Sequence, residues 1–241
     1  MNELPDCGRA PTLVVPQLCY LCGMPLTEPI TPDHVPPKQL YAPDVRRVRG
    51  PNLLTIPVHD ACNKFYQRDE DYFVQSLVPF ARGSYAGNAI YKWMLESYRK
   101  GNNAGLVRKV LAEFEPRPSG LILPGNKVVK RFAGDRIARV AWKIVRGLYF
   151  HHHQEVLPVD LVTWIAVIPP DQIPPKHFLY FANLPDNKPH GIYPGVFDYR
   201  FQKFSVEHYW ALLLWDRIIV TVIFHDPTCR YDKCQRPAVN P

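Results

Sequence analysis

Two short pairs of residues in this chain have the types and spacing of metal ligands. They are Cys19-x-x-Cys22 and, about 40 residues later, His59-x-x-Cys62. A two-residue gap lets both members of a pair chelate from one tight turn or helix start. Two such pairs make a tetrahedral zinc site of Cys₃His type. Four protein ligands close the coordination sphere, so zinc held there supports structure and leaves no position for chemistry. Of the three remaining cysteines, Cys229 and Cys234 follow His225 and with Cys7 could seed a second metal site, but their irregular spacing fits no paired template. The run His151-His152-His153 reads as a polar helix end.

Between and beside the two pairs lie Pro32-Asp33-His34-Val35-Pro36-Pro37, Asn52-Leu53-Leu54 and Cys62-Asn63-Lys64. In this order, residues 17–75 resemble the HNH endonucleases, also called ββα-metal or His-Me finger nucleases. The resemblance implies that His34 is the general base and that Asp33 and Asn63 hold a catalytic divalent ion, Mg²⁺ or similar. It also implies that Asn52 ties the loop and orients the histidine. Asn at the last motif position replaces His, and the second zinc pair opens with His59 where the family has Cys.

These residue types suit phosphodiester hydrolysis. An imidazole with an unperturbed pKa near 6.5 can take a proton from water at physiological pH. A hard cation on oxygen ligands can offset phosphate charge and stabilise the departing 3′-oxygen. The resemblance implies a reaction that leaves a 5′-phosphate and a 3′-hydroxyl, with DNA as the expected nucleic acid. Two alternatives stay open: a zinc-stabilised nucleic-acid-binding module without catalysis, and an effector subunit that cuts only with a protein partner. Lys64 and Arg68 read equally as phosphate contacts or as solvated helix charges.

The elements that must place these residues follow from pattern. Leu53–Val58 is a short β-branched run and reads as a strand. Asp60 reads as the N-cap of a helix carrying Ala61, Phe65, Tyr72, Phe73 and Leu77 on one face. Residues 32–51 read as a loop. Helices are expected at Ala89–Tyr98, Leu106–Phe114 and Arg131–Tyr149. Strands are expected at Val159–Ile168, His177–Ala182, Val196–Phe204, Tyr209–Leu214 and Arg217–Phe224, the last two joined as a hairpin at Trp215-Asp216. The fold class is α+β. A zinc-stapled ββα-metal module occupies 1–81, and an accessory region occupies 82–241, with basic helices in 82–150 and β-rich chain in 158–225.

The 241 residues carry 29 Lys plus Arg against 22 Asp plus Glu, a formal net charge of +7. Residues 1–81 have a net charge of −2, residues 82–146 of +10 and residues 147–241 of −1, so the surplus lies in the middle. There Arg136, Arg139, Lys143 and Arg146 recur at helical spacing, a stripe expected to grip a polyanion. With 46% hydrophobic and 12% aromatic residues, disorder along the whole chain is excluded. No apolar run approaches the roughly 18 residues that span a bilayer, so no membrane partner is expected. A cytoplasmic location is expected, where cysteines serve as ligands or free thiols. No phosphate-binding P-loop, nucleophile elbow or H-E-x-x-H helix is present.

Overall fold

The computed structural model describes residues 17–49, 53–116, 125, 128–158, 160–185, 187–193, 195–205, 207–230, 232 and 234. Asn52 and Cys7 lie outside them. Strand β1 (Ile30–His34) leads through a single 3-10 turn to helix α1 (Pro43–Arg49). Strand β2 (Thr55–His59) returns antiparallel to β1, with Asp33 opposite Ile56 and His34 opposite Thr55. Helix α2 (Asp60–Leu77) follows at once, completing a ββα unit. Helices α3 (Tyr85–Arg99) and α4 (Ala104–Ala112) come next, then the short pair β3 (Phe114–Glu115) and β4 (Val129–Lys130). The long α5 (Gly134–His153) precedes β5 (Val162–Ile168), α6 (Lys176–Ala182), β6 (His190–Tyr193), β7 (Phe197–Phe204), β8 (Glu207–Leu214) and β9 (Ile218–His225).

The fold is therefore mixed α+β, and the strands named above pair antiparallel. The five strands β5–β9 form one sheet in the order β5-β9-β8-β7-β6. Both sheet faces are covered. Trp210, Leu212, Val220, Val222 and Phe224 join the main core, while Tyr209 and Ala211 meet Phe181 of α6 on the opposite side. That alternation is the period-2 geometry of a pleated strand. The main core runs without a break from Cys19 to Phe224 and includes the inner face of α5, from Ile137 to Tyr149.

Four sequence expectations are corrected. Of residues 32–51, expected as loop, 32–34 complete β1 and 43–49 form α1, whose first residue Pro43 supplies a fixed φ where no N–H partner is needed. The run His177–Ala182, expected as a strand, is α6, because its apolar residues Phe178 and Phe181 face the sheet at helical spacing. Asp60 starts α2 but does not cap it. His59 occupies the N-cap without a side-chain bond, and Asp60 pairs instead with Lys64 at 2.6 Å. The inner stripe of α2 is Cys62, Tyr66, Phe73 and Leu77, while Phe65 stays 40% exposed. The hairpin at Trp215-Asp216 forms as expected, both residues having positive φ. Its Trp215 indole N–H donates to the Leu40 carbonyl at 2.9 Å, fastening the sheet to the chain just after β1.

Candidate active site and metal centre

Residues 19–24 fold into a tight turn. Cys19 N–H donates to the Met24 carbonyl at 2.9 Å, and Gly23 N–H donates to the Cys19 carbonyl at 2.7 Å. Gly23 adopts φ +79°, a conformation that L side chains rarely tolerate. The turn presents Cys19 and Cys22 to His59, the last residue of β2, and to Cys62 in the first turn of α2. The four ligand atoms lie within 4.8 Å of one another. Cys22 Sγ is 3.4 Å and Cys62 Sγ 3.8 Å from His59 Nδ1. Tetrahedral zinc with bonds of about 2.0–2.3 Å needs ligand separations of roughly 3.5–3.8 Å, so the set fits. With Nδ1 turned to the thiols, Nε2 lies 3.0 Å from the Pro25 carbonyl oxygen and 3.2 Å from the Thr27 backbone N, contacts that fix the ring.

Beside this centre opens a cleft of about 480 Å³. His34 lines it from the end of β1, with Asp33 and Asn63. Burial, with Lys38 nearby, holds the His34 imidazole below its ordinary pKa, while Asp33 opposes the shift. His34 is thus neutral at physiological pH and able to accept a proton. Lys38, Arg46 and Lys64 add cations to the walls, and Trp93 of α3 adds a ring that is 40% exposed.

The oxygens expected to hold a divalent ion are otherwise engaged. Asp33 is 3% exposed, and its Oδ2 accepts from the Tyr20 hydroxyl at 2.5 Å. Its Oδ1 accepts from Lys143 Nζ of α5 at 2.7 Å. The same ammonium donates to Glu70 Oε1 and stands 3.5 Å from Asn63 Oδ1. Burial raises the Glu70 carboxyl, and Lys143 opposes that shift. Sequence reasoning missed Glu70 and Tyr20. The available signal was the acidic run Asp69-Glu70-Asp71, whose first two members face the basic stripe of α5.

No protein-family model, curated protein or solved structure matches this chain.

The stripe expected to grip nucleic acid is corrected. Lys143 and Arg146 are 1% and 0% exposed. Arg136 Nε and Arg139 Nε clasp the two oxygens of Asp69 at 2.5 and 2.7 Å, tying α5 to α2. The stripe faces inward because α2 supplies its counter-charges. Arg146 finds none among the described residues: its three guanidinium nitrogens are buried without hydrogen-bond partners, and the group stacks on Trp142 at 4.3 Å. Of the remaining expected contacts, Lys64 is exposed at the cleft, whereas Arg68 is exposed away from its lining. Exposed basic residues of the middle region include Lys92 and Arg99 on α3, Arg108 and Lys109 on α4, and Arg82, Lys100 and Arg131 outside these helices.

Proposed function

We propose that the cleft hydrolyses nucleic-acid phosphodiesters, most naturally those of DNA, with His34 as the general base. The observation that carries this reading is the convergence on one cleft of a neutral imidazole, an oxygen cluster of buried Asp33 and Glu70 with half-buried Asn63, and three cationic side chains. It agrees with the motif order of residues 17–75, which resembles the HNH endonucleases. A water oxygen bonds to phosphorus while one ester P–O bond breaks. The water's proton passes to His34, and the leaving oxygen takes a proton from solvent. Lys38, Arg46 and Lys64 offset the phosphate charge, Trp93 offers a face on which a base can stack, and the exposed charge of α3 extends the track. Zinc bound by Cys19, Cys22, His59 and Cys62 would hold β2 and α2 in register and supply structure only, since four protein ligands leave it no open position.

A catalytic Mg²⁺ does not fit the donor set as it stands. Its expected ligands surround an ammonium, and small octahedral Mg²⁺ binds oxygens at about 2.0–2.1 Å with no cation between them. The same feature favours a second reading, in which the cleft binds nucleic acid without cutting it.

The two readings part on one experiment. His34→Ala should retain one zinc per chain and the wild-type circular dichroism while losing cleavage of plasmid and oligonucleotide substrates by about 10²-fold or more. Binding without cleavage by the wild-type protein, with or without Mg²⁺ or Mn²⁺, would establish the second reading.

A further inference from the structure

We propose that Lys143 is the resident cation of this site, seated where a divalent ion would otherwise bridge Asp33 and Asn63. The consequence for hydrolysis, that the cleft cuts without a bound divalent ion, rests on the reading of the cleft as a phosphodiesterase.

Three oxygens from two elements converge on Lys143 Nζ: Asp33 Oδ1 from β1, with Asn63 Oδ1 and Glu70 Oε1 from α2. An ammonium has three N–H donors, so this set matches its capacity. Two carboxylates around one buried cation leave the cluster with excess acceptor charge, which holds the ammonium in place. The side chain has no exit. It is 1% exposed, lies over the Tyr66 ring at 5.6 Å and springs from the buried face of α5. A divalent ion placed on Asp33 and Asn63 would meet a fixed positive charge at close to contact distance. The remaining Asp33 oxygen is already bonded to Tyr20.

Lys143 does not line the cleft, so it is a positioning residue. It fixes Asp33 beside His34 on β1. Neutralisation of the phosphate falls to Lys38, Arg46 and Lys64, which do line the cleft.

The test uses full-length protein carrying one zinc per chain, freed of other divalent ions on a chelating resin. Mn²⁺ is titrated and followed by electron paramagnetic resonance and by thermal shift. Wild type should show no stoichiometric Mn²⁺ site and no change in Tm, and should cleave an oligonucleotide without added metal. Lys143→Gln should melt lower, bind one Mn²⁺, recover Tm on binding it and cleave at least about tenfold faster with Mn²⁺ than without. A stoichiometric Mn²⁺ site in wild type that is lost in Asp33→Asn would overturn the proposal. If Lys143→Gln does not fold, that wild-type titration decides alone. The expected Mn²⁺ pattern without cleavage under any condition supports the resident cation and overturns the hydrolytic reading.

Discussion

A buried charge without a partner is costly, because the interior replaces little of the lost hydration. Arg146 bears that cost: burial lowers its guanidinium pKa to about 10, against the pull of Tyr66, Tyr20, Cys19 and Cys22. The neighbouring thiols supply the reason for its placement. Zinc bound to three thiolates and one neutral imidazole would carry a net charge of −1, which the Arg146 charge, felt by Cys19 and Cys22, would offset. Arg146→Met should therefore weaken zinc binding by about tenfold, the range typical of groups that support a metal's own ligands. Competition with a chromophoric chelator measures this. The same variant should leave the zinc-free protein at least as stable, since an unpaired buried charge has been removed. Equal zinc affinity in the two proteins would show that the guanidinium does not serve the metal.

At the scale of elements, the critical contact is the crossing of α5 beneath β1. Gly147 makes it possible. A Cβ there would meet Val35 Cγ2 at 2.6 Å, Val35 Cγ1 at 2.9 Å and Tyr20 Cε2 at 3.3 Å. Val35 follows His34, and Tyr20 holds Asp33, so the added methyl pushes on both sides of the candidate site. Gly147→Ala gains about 1 kcal/mol of helix propensity and loses about 1–3 kcal/mol to overpacking. The expected balance is a Tm lower by a few degrees with a larger effect on kcat, on the order of 10²-fold for a shift near 1 Å. Gly134→Ala on the same helix is the control, because its Cβ would meet nothing within 4 Å. Equal kcat in both variants would separate the α5 crossing from the chemistry. The sequence made Cys19, Cys22, His59 and Cys62 legible because each pair's spacing is local. It left the fate of Lys143 hidden because that depends on α2 and α5 meeting face to face. A helical stripe of basic residues looks the same whether water or Asp69 and Glu70 lie opposite. α6 was misread for a related reason: six residues rich in aromatics fit either period until the sheet beneath selects one.

At the scale of the whole molecule, the end of α5 is sealed against the sheet by histidines kept neutral. His152 Nε2 and the Tyr199 hydroxyl lie 2.8 Å apart, with His190 and Phe201 packed around the ring. His208 of β8 is 5% exposed and meets Tyr149 edge-on. Burial lowers both pKa values to about 4; His151, His153 and His190 add to the shift of His152, and Lys203 and His153 to that of His208. In the unfolded chain each titrates near 6.5. Between about pH 6.5 and 4 the unfolded state therefore binds protons that the native state refuses, and stability rises with pH across that window. Their contribution is complete above about pH 6.5, falls as the pH drops and levels off below about 4. The Tm should hold steady from pH 8 to 7 and then drop by roughly 5 °C or more towards pH 4.5, a shift of the size that one to two kcal/mol produces in a domain this large. Acid also releases zinc as its ligands protonate, so the histidine share is isolated by comparing zinc-free wild type with the zinc-free double variant His152→Gln, His208→Gln. The variant should lose a clear part of the slope between pH 6.5 and 4.5. Parallel curves would mean that both imidazoles protonate within the folded protein, and that the seal between α5 and the sheet does not depend on their neutrality.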